Sequence, residues 1–404
     1  MRGEKQVKAV IGGAIDAFAS VGVFVAVVFM CVFAAGEALA DAPRLIQEEV
    51  RIPAAGGYQV AATILRPVGA GPYGVVVLNH GVPGSEKERL SEVPANDFAI
   101  SAPIFARRGY VVVMPVRRGF GATGGDFAED AGSCRNPDYM HGESAAADDV
   151  MAAYDYARRL PYVDPNRMIL AGQSAGGMVS MFAAAMRQPQ GLVAVLGFAA
   201  GRGGNPDIRP GVPCAVEPMA KMFDAMGKRI HVPVLMHYAE NDHYFNPATT
   251  TLWYHRFTSA GAKADYVVQP AFGRDGHYLF GELLGVRYWL PAVEKFLTAN
   301  HVPFKALPGG LLQATAPQQI TTDSCKSLYR VFLESPGPRA YAVSEDGRCG
   351  FAGGLADARE TALRECHSAS KAGCALYAVD SEIVWKAQLK QASARPTTAS
   401  IGSR

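Results

Sequence analysis

Short apolar runs alternate with longer stretches of helical spacing between residue 50 and about residue 301. The apolar runs lie at residues 58–65, 75–78, 110–114, 168–170, 192–196, 234–236 and 266–268. Segments 144–160 and 282–300 are examples of the helical stretches. Continuous valine and leucine runs separated by helices are typical of a parallel sheet that helices cover on both faces. Residues 58–65 alternate between apolar and polar positions, which predicts an outer strand.

A second, smaller unit follows this alternating region. Residues 304–324 are rich in proline and glycine and predict a linker between a domain at 45–303 and a domain at 325–388. In the smaller domain the pattern predicts two strands joined by a turn, then a helix and a further strand, a ββαβ arrangement. These elements lie at residues 339–344, 348–351, 356–367 and 376–385. Residues 389–404 are polar and predict a disordered tail.

The first forty residues have the pattern of an export signal. A basic start is followed by the uncharged residues 17–36 and then by Ala38-Leu39-Ala40, an A-x-A cleavage signature. An uncleaved membrane anchor is the alternative interpretation of residues 1–40, because about twenty apolar residues can span a bilayer. Both interpretations predict a protein that acts outside the cytoplasm, in the periplasm or secreted. A membrane is an expected partner only if the segment stays attached.

The composition changes this picture little, whereas the cysteines support it. The chain has 49% hydrophobic and 19% charged residues and a formal net charge of +2, and no basic cluster suggests a nucleic-acid partner. Cys31 lies in the predicted signal, so six of the seven cysteines remain, an even number that favours disulfides in an oxidising compartment. Cys366 and Cys374 are close in sequence and are predicted to pair, unless some thiols stay free. The simplest remaining pairs are Cys134 with Cys214 and Cys325 with Cys349.

The segment 168–180 carries the clearest chemical signal. The sequence G-Q-S-A-G, centred on Ser174, stands between a short apolar run and a stretch of small residues that are compatible with a helix. A G-x-S-x-G turn between a strand and a helix lifts the serine hydroxyl out of the sheet, and its glycines avoid clashes with neighbouring elements. The N–H groups and the positive dipole end of the following helix face any oxyanion formed there. We therefore expect Ser174 to be a nucleophile.

A serine hydroxyl needs a base within hydrogen-bond reach and an acidic group that orients this base. In this topology the order along the chain is serine, then aspartate or glutamate, then histidine, each on a loop after a strand. Asp242 follows one predicted strand and His277 follows the next, which predicts Asp242 as the orienting acid and His277 as the general base. Glu240 and Asp275 are the alternative acids.

Other histidines are less suited to act as the base. His237 lies inside an apolar run, which indicates a histidine in the core, and His255 lies on a predicted helix. His243 adjoins Asp242 and could touch the substrate. The nine histidines are scattered, and the sequence has no Cys-x-x-Cys or His-Glu-x-x-His pattern. The sequence therefore predicts neither a metal site nor a cofactor.

An oxyanion hole should combine the N–H of Ala175 with an N–H from an earlier strand-to-helix loop. The strand predicted at 75–78 ends in N-H-G-V-P-G, where the backbone N–H of Val82 is the candidate to within one residue, and a plain Gly/Pro turn is the alternative. The glycine-rich segment 117–125 lacks the Lys-Ser/Thr of a phosphate-binding loop. It predicts a turn near the rim of the site, with its first or second arginine (117 or 118) in a structural pair.

Together, these motifs resemble the α/β-hydrolase superfamily, in particular its dienelactone hydrolase and prolyl-oligopeptidase-like branch. The resemblance covers about residues 50–300. It rests on N-H-G-V-P-G, R-R-G-F-G-A-T-G-G, G-Q-S-A-G-G and the A-E-N-D and D-G-H loops. It implies an α/β fold with a mostly parallel eight-stranded sheet flanked by helices, and acyl-enzyme hydrolysis at Ser174. The small α+β disulfide-containing domain lies outside the resemblance and is predicted from the residue pattern alone. Dienelactone hydrolases proper have a cysteine nucleophile where this chain has Ser174, so dienelactone is not the expected substrate.

The sequence thus predicts an exported serine hydrolase that cleaves a carboxylic ester. A peptidase or amidase of the same fold is the nearest alternative. Two further alternatives are an inert hydrolase fold that binds a ligand, and an enzyme that transfers the acyl group to an acceptor other than water. Residues 201–226 contain several prolines and predict a lid over the site, with 136–141 as a second specificity segment. The expected partner is a small-molecule ester or peptide, and the oligomeric state is not predicted.

Overall fold

The computed structural model describes residues 44–309 and 316–385 of the 404-residue chain. The larger part is built on one eight-stranded sheet with the order β1-β2-β4-β3-β5-β6-β7-β8. Its strands are β1 (Leu45–Pro53), β2 (Gln59–Pro67), β3 (Tyr73–Asn79), β4 (Tyr110–Val116), β5 (Val163–Gln173), β6 (Leu192–Phe198), β7 (Val234–Ala239) and β8 (Ala264–Gln269). The six strands from β3 to β8 pair in parallel, and β2 runs antiparallel to both of its neighbours.

Helices cover both faces of the sheet. They are α1 (Glu86–Leu90), α2 (Pro94–Asp97), α3 (Ser101–Ala106), α4 (Tyr139–Ala157), α5 (Ala175–Met186), α6 (Val216–Gly227), α7 (Pro247–Ser259) and α8 (Val286–Ala299). Successive residues of β3 enter different cores: Val75 and Val77 pack with α4 to α7, and Val76 and Leu78 pack with α3 and α8. A strand that is buried on both faces has no polar positions, which explains the continuous apolar runs. The predicted α/β fold and its mostly parallel eight-stranded sheet are confirmed.

The prediction that residues 58–65 form an outer strand is wrong. They belong to β2, which pairs on one side with β1 and on the other with β4. The true edge strand is β1, which the sequence pattern did not reveal because it has no apolar run and carries charged residues such as Glu49 and Arg51 on its exposed positions. Charged side chains on an edge strand discourage pairing with another chain.

The smaller part is an antiparallel four-stranded sheet with the order β10-β9-β11-β12. Its elements are α9 (Asp323–Glu334), β9 (Arg339–Ser344), β10 (Cys349–Gly353), α10 (Ala358–Ala369), β11 (Cys374–Val379) and β12 (Glu382–Ile383). The structure therefore adds a helix before the predicted ββαβ order, and the segment 376–385, predicted as the last strand, contains the end of β11 and the short strand β12. Helix α9 begins inside the predicted linker 304–324, where the side chain of Thr322 caps it by accepting a hydrogen bond from the N–H of Cys325 at 3.2 Å.

Three predicted segments fall wholly or partly outside the described residues. The predicted signal at 1–40 and the predicted tail at 389–404 lie wholly outside them, as do residues 310–315 of the predicted linker. The first linker residues pack on the larger part, because Phe304 is buried with its ring 5.5 Å from that of Phe105. No helix in the described part of the chain combines the length and the hydropathy needed to span a bilayer.

Three disulfides join the six cysteines in the described ranges. They link Cys134 to Cys214, Cys325 to Cys349 and Cys366 to Cys374, with Cα–Cα separations of 5.4, 5.8 and 6.1 Å. All three pairings match the sequence prediction. The first joins two loops of the larger part, and the other two hold the small domain together, whose size limits how much apolar surface it can bury.

A buried ion pair fastens the small domain to the larger part. The Arg108 guanidinium, after α3, donates to the Glu334 carboxylate at the end of α9 over 2.7 Å, and both side chains are buried. Glu294 of α8 accepts a second hydrogen bond from the same guanidinium at 3.3 Å. Val331 of α9 enters the core formed with α3 and α8. The two parts therefore share apolar and ionic contacts.

We predict that Glu334→Ala lowers the free energy of unfolding by about 2 kcal/mol, measured by urea denaturation. Removing one partner of a buried pair leaves the other charge without compensation, although Glu294 keeps part of the interaction. Lys326→Ala on the same helix is the control, because its pair with Asp323 is exposed and should contribute less than about 0.5 kcal/mol. Equal effects of the two substitutions would contradict the prediction.

Candidate active site

The turn between β5 and α5 places Ser174 in a strained backbone conformation. Its φ is +57° and its ψ is −125°, a region that residues other than glycine rarely adopt. The flanking glycines are required by space: a Cβ on Gly176 would lie 1.9 Å from the carbonyl oxygen of Asn79, and one on Gly172 would lie 2.4 Å from the carbonyl carbon of Gly176. The G-x-S-x-G sequence therefore forms the sharp turn that the pattern predicts.

Hydrogen bonds behind the turn hold it against the neighbouring strands. The N–H of Ser174 donates to the carbonyl of Phe198 at 2.9 Å. The buried Asn79 amide at the end of β3 donates to the hydroxyl of Ser180 at 2.9 Å and to the carbonyl of Ala171 at 3.2 Å. This role of Asn79 and Ser180 was not predicted from the sequence. An asparagine at the end of a strand predicted to be buried was the available signal.

The structure brings Asp242 and His277 into contact. Both carboxylate oxygens of Asp242 lie 3.1 Å from Nδ1 of His277, and both side chains are buried. The N–H groups of Tyr244 and Phe245 donate to Oδ1 of Asp242 at 2.8 and 2.9 Å. The Tyr244 ring stacks on the imidazole with a centroid distance of 4.0 Å. These contacts restrict the orientation of the imidazole, and Gln173 binds the carbonyl of His277 at 2.6 Å.

The alternative acids have other positions. Asp275 accepts hydrogen bonds from the backbone N–H groups of His277 at 2.9 Å and of His243 at 3.0 Å, and so shapes the loop rather than facing the buried ring nitrogen. Glu240 is exposed after β7. Asp242 is thus the carboxylate against Nδ1 of His277.

The remaining histidines named from the sequence lie as predicted. His237 is buried in β7 next to the side chain of Gln269, and burial lowers its pKa to about 3. His255 is exposed on α7, and His243 is exposed beside Asp275, with its Nδ1 3.8 Å from that carboxylate. A histidine that stays neutral in the core has no charge change to use near neutral pH.

The predicted oxyanion loop lies directly over Ser174. A Cβ on Gly81 would lie 3.3 Å from Cβ of Ser174 and 3.9 Å from its Oγ, so the loop passes close to the serine. Val82 lines the same cavity as Ser174 and His277. Ala175 is buried at the first position of α5, a helix of twelve residues whose N-terminus therefore faces the serine.

Arg117 holds this loop from behind. Its guanidinium donates to the carbonyls of His80 at 2.8 Å and Gly81 at 3.2 Å, and its Nε donates to the carboxylate of Glu129 at 3.0 Å. Arg202 binds the other oxygen of Glu129. Arg117 is thus in a structural pair, as the segment 117–125 was predicted to provide.

Arg202 continues these contacts into a buried network. It also donates to Glu143 at 2.5 Å, so two arginines and two glutamates lie together, all of them buried. Burial alone would raise the pKa of Glu129, but the guanidinium groups of Arg117 and Arg202 outweigh it and hold the pKa below its ordinary value. For Glu143 burial prevails over the attraction of Arg202 and raises the pKa.

A second pair forms beside this network. Arg118 binds Asp149 of α4 through its Nε at 2.9 Å and its backbone N–H at 2.7 Å. Tyr58 donates a further hydrogen bond to Asp149, and its ring lies 4.5 Å from the Arg118 guanidinium. Both arginines of the segment therefore serve the scaffold of the site.

Ser174 and His277 line one cavity of about 510 Å³. Its other walls are the loop after β3, helices α1 and α2, and residues 278–282. The predicted lid at 201–226 and the segment 136–141 do not line it, which corrects the sequence prediction. Buried apolar residues of α6 such as Phe223 pack on α7, so this part of the predicted lid is committed to the core.

The wall formed by α1 and α2 was missed from the sequence. Ser85 begins α1 as a capping box: its hydroxyl accepts a hydrogen bond from the N–H of Glu88, and the carboxylate of Glu88 accepts one from the N–H of Ser85 at 3.1 Å. The spacing S-x-x-E was the available signal. Both helices are shorter than six residues, so they carry no periodic pattern.

Comparison with known proteins bears on the family that the chain resembles. The model of the prolyl oligopeptidase family matches residues 96–199, which include β4, β5 and the turn at Ser174. This match confirms the resemblance to the prolyl-oligopeptidase-like branch, and it supports a serine hydrolase of this type. No curated protein matches the sequence.

Solved structures with a similar fold include esterases and a peptidase. An acetyl xylan esterase from Paenibacillus sp. R4 is 17% identical, with a TM-score of 0.45 over 63% of this chain and 84% of its own. An esterase from Pyrococcus furiosus is 14% identical, with a TM-score of 0.46 over 66% and 98%. Dipeptidyl peptidase 4 from Porphyromonas gingivalis is 19% identical, with a TM-score of 0.45 over 63% and 35%.

We predict that the carboxyl group of Glu92, in the cavity wall, makes stability depend on pH. Burial, together with a hydrogen bond to Asp97 and the charge of Asp97, raises its pKa from 4.5 to about 8. The folded state therefore binds more protons than the unfolded state between these values, and stability falls as the pH rises through this range. Glu92→Gln removes this dependence on pH. The difference between the Tm of the variant and the Tm of the wild type should therefore shift in favour of the variant by about 3 °C from pH 5 to pH 9.

Glu86→Gln on α1 is the control for this experiment, since the Glu86 side chain is exposed. Its Tm relative to the wild type should be the same at the two pH values. A Tm difference for Glu92→Gln that does not change with pH would contradict the prediction.

Proposed function

We propose that this relative of the prolyl oligopeptidase family is a serine hydrolase that cleaves a carboxylic ester through an acyl-enzyme. The observation that carries the proposal is the strained turn at Ser174 in the same cavity as an imidazole whose Nδ1 lies against a buried carboxylate. Ser174 is the proposed nucleophile, His277 the general base and then acid, and Asp242 the group that orients His277.

The proposed reaction uses these groups in two steps. His277 takes the proton of Ser174 Oγ as this oxygen attacks the carbonyl carbon of the ester, and the carbonyl oxygen becomes negatively charged. The backbone N–H groups of Ala175 and Val82 are the proposed donors to this oxyanion. The C–O bond to the leaving group then breaks, and the imidazolium gives its proton to the departing alcohol. In the second step His277 takes a proton from water as the water oxygen attacks the acyl-enzyme. The imidazolium then returns this proton to Ser174 Oγ as the carboxylic acid leaves.

Asp242 contributes through the orientation and the charge of His277. A carboxylate at Nδ1 keeps the proton on this nitrogen, which leaves Nε2 free to accept the proton of the serine. It also stabilises the imidazolium that forms during attack. The stacked Tyr244 ring limits rotation of the imidazole, and the two N–H groups that bind Asp242 keep the carboxylate in place.

A peptidase or amidase is the second candidate function. The match of residues 96–199 to the prolyl oligopeptidase family favours it, and the same groups would attack an amide carbonyl. Export is part of the proposal, because the sequence predicts a signal at 1–40 and three disulfides in the chain fit an oxidising compartment. The proposed substrate is a small ester or peptide.

Labelling with a fluorophosphonate tests the nucleophile. We expect the protein from Asp41 onward to gain the mass of a single adduct, measured by intact mass spectrometry, and Ser174→Ala to gain none. Ser180→Ala, a buried serine on the same helix, should still react. A folded protein that forms no adduct would favour the inert binding fold. Panels of esters and peptides then decide between the two candidate reactions.

Asp242→Asn tests the orienting acid. An amide at this position donates to Nδ1 and favours the wrong tautomer of His277, so we expect kcat for a simple ester to fall by about 1,000-fold with little change in KM. Asp275→Asn is the matched control, because its amide oxygen still accepts the N–H of His277, and kcat should fall less than about tenfold. Similar losses in both variants would contradict the assignment of Asp242.

A further inference from the structure

The cavity that contains Ser174 has a one-sided distribution of charge. Among the residues that line it, four are acidic and none is lysine or arginine. The acidic residues are Glu88, Glu92, Asp97 and Glu282. Because the pKa of Glu92 is raised to about 8, its carboxyl group stays protonated at neutral pH, and the negative charge comes from the other three. The chain as a whole has a formal net charge of +2, so this concentration of negative charge is local. A cavity lined by one sign of charge attracts ligands of the opposite sign.

Glu92 carries an unsatisfied polar atom in this wall. It is 8% exposed, and its Oε1 is buried without a hydrogen-bond partner. The nearby Arg117 is not its partner: the side-chain hydrogen bonds of Arg117 go to Glu129, His80 and Gly81. A buried carboxyl oxygen without a donor is costly, and a donor supplied by a ligand would satisfy it.

Asp97 and Glu282 bring exposed carboxylates next to this buried one. Asp97 ends α2 and interacts with Glu92 strongly enough to help raise its pKa. A Cβ on Gly281 would lie 3.2 Å from the carbonyl oxygen of Asp97, so the segment that carries Glu282 meets α2 at this wall. Acidic residues from two segments therefore line the cavity that contains the candidate nucleophile.

The arrangement suits an organic cation better than a metal ion. Within residues 44–309 and 316–385, no three His, Cys, Asp or Glu side chains are placed to share a metal ion. Aromatic residues also line the cavity: Phe98 below α2, and Tyr244 and Tyr278, whose hydroxyls lie 2.9 Å apart. Aromatic faces pack on the apolar part of an alkylammonium group and attract its charge.

We propose that this cavity selects substrates that carry a cationic group, an ammonium or guanidinium, close to the scissile carbonyl. The inference rests on the proposed function and names the substrate class of the same site. Asp97 and Glu282 bind the cation at the solvent side, and Oε1 of Glu92 in the wall is the acceptor that an N–H group of the ligand satisfies. The attraction acts on the ground state and the transition state alike, so it lowers KM more than it raises kcat.

The test compares kcat/KM for pairs of esters that differ in one charge. On the acyl side the pair is p-nitrophenyl 6-aminohexanoate and p-nitrophenyl heptanoate, in which a methyl group replaces the ammonium. On the alcohol side the pair is acetylcholine and its neutral isostere 3,3-dimethylbutyl acetate. We expect the cationic ester to be preferred by about tenfold or more in at least one pair, and 1 M NaCl to reduce this preference by screening.

Variants assign the preference to the acidic wall. Asp97→Asn and Glu282→Gln should each lower the ratio of cationic to neutral kcat/KM by about threefold, and the double variant should bring it close to one. Glu86→Gln removes one negative charge from the neighbouring helix outside the cavity, and should change the ratio by less than about twofold.

Each outcome bears on a different proposal. Hydrolysis of the neutral esters without preference for the cationic ones in either pair overturns the inference and leaves the proposed function standing. A preference that survives the double variant also overturns the inference. If the wild-type protein hydrolyses none of the four esters, the proposed ester hydrolysis fails and the inference fails with it.

Discussion

The close approach of three backbone segments at the turn after β5 is the constraint on which the site depends. The end of β3, the end of β5 and the start of α5 meet there with no room for a Cβ at Gly172 or Gly176. This contact forces the positive φ of Ser174 and brings the loop at Gly81 over its side chain. The hydrogen bonds of Asn79 to the elements behind it hold the crossing in place.

A network of buried charged side chains binds the loop that passes over Ser174. The loop that passes over Ser174 has carbonyl groups pointing away from the cavity, and Arg117 satisfies two of them. A buried guanidinium needs a carboxylate, and Glu129 in turn binds Arg202 and through it Glu143. Two positive and two negative groups balance, which offsets the cost of removing each of them from water. The loop is thereby held by charged groups as well as by the apolar packing of Val82 against Phe120 and its neighbours.

Sequence patterns were sufficient where an element repeats or where a reaction demands an order of residues. Long apolar strands and helices predicted the sheet. The order of Ser174, Asp242 and His277 along the chain predicted three site residues, of which the structure places Ser174 and His277 in one cavity and Asp242 against His277. They failed for short or polar elements. Edge strand β1 has no apolar run, and α1 and α2 are too short to show a helical period.

The sequence by itself determined the fold class and the turn at Ser174 and identified the candidate triad, because glycine requirements and chain order are local or topological properties. The disulfide pairs were the simplest of fifteen possible connectivities, and only the structure decided between them. Only the tertiary structure decided which residues surround the candidate nucleophile. The predicted lid at 201–226 does not line the cavity, whereas α1, α2 and residues 278–282 form its acidic wall. Acidic residues such as Asp97 and Glu282 are far apart along the chain, and whether they line the same cavity depends on how the loops pack, which no pattern of residues records.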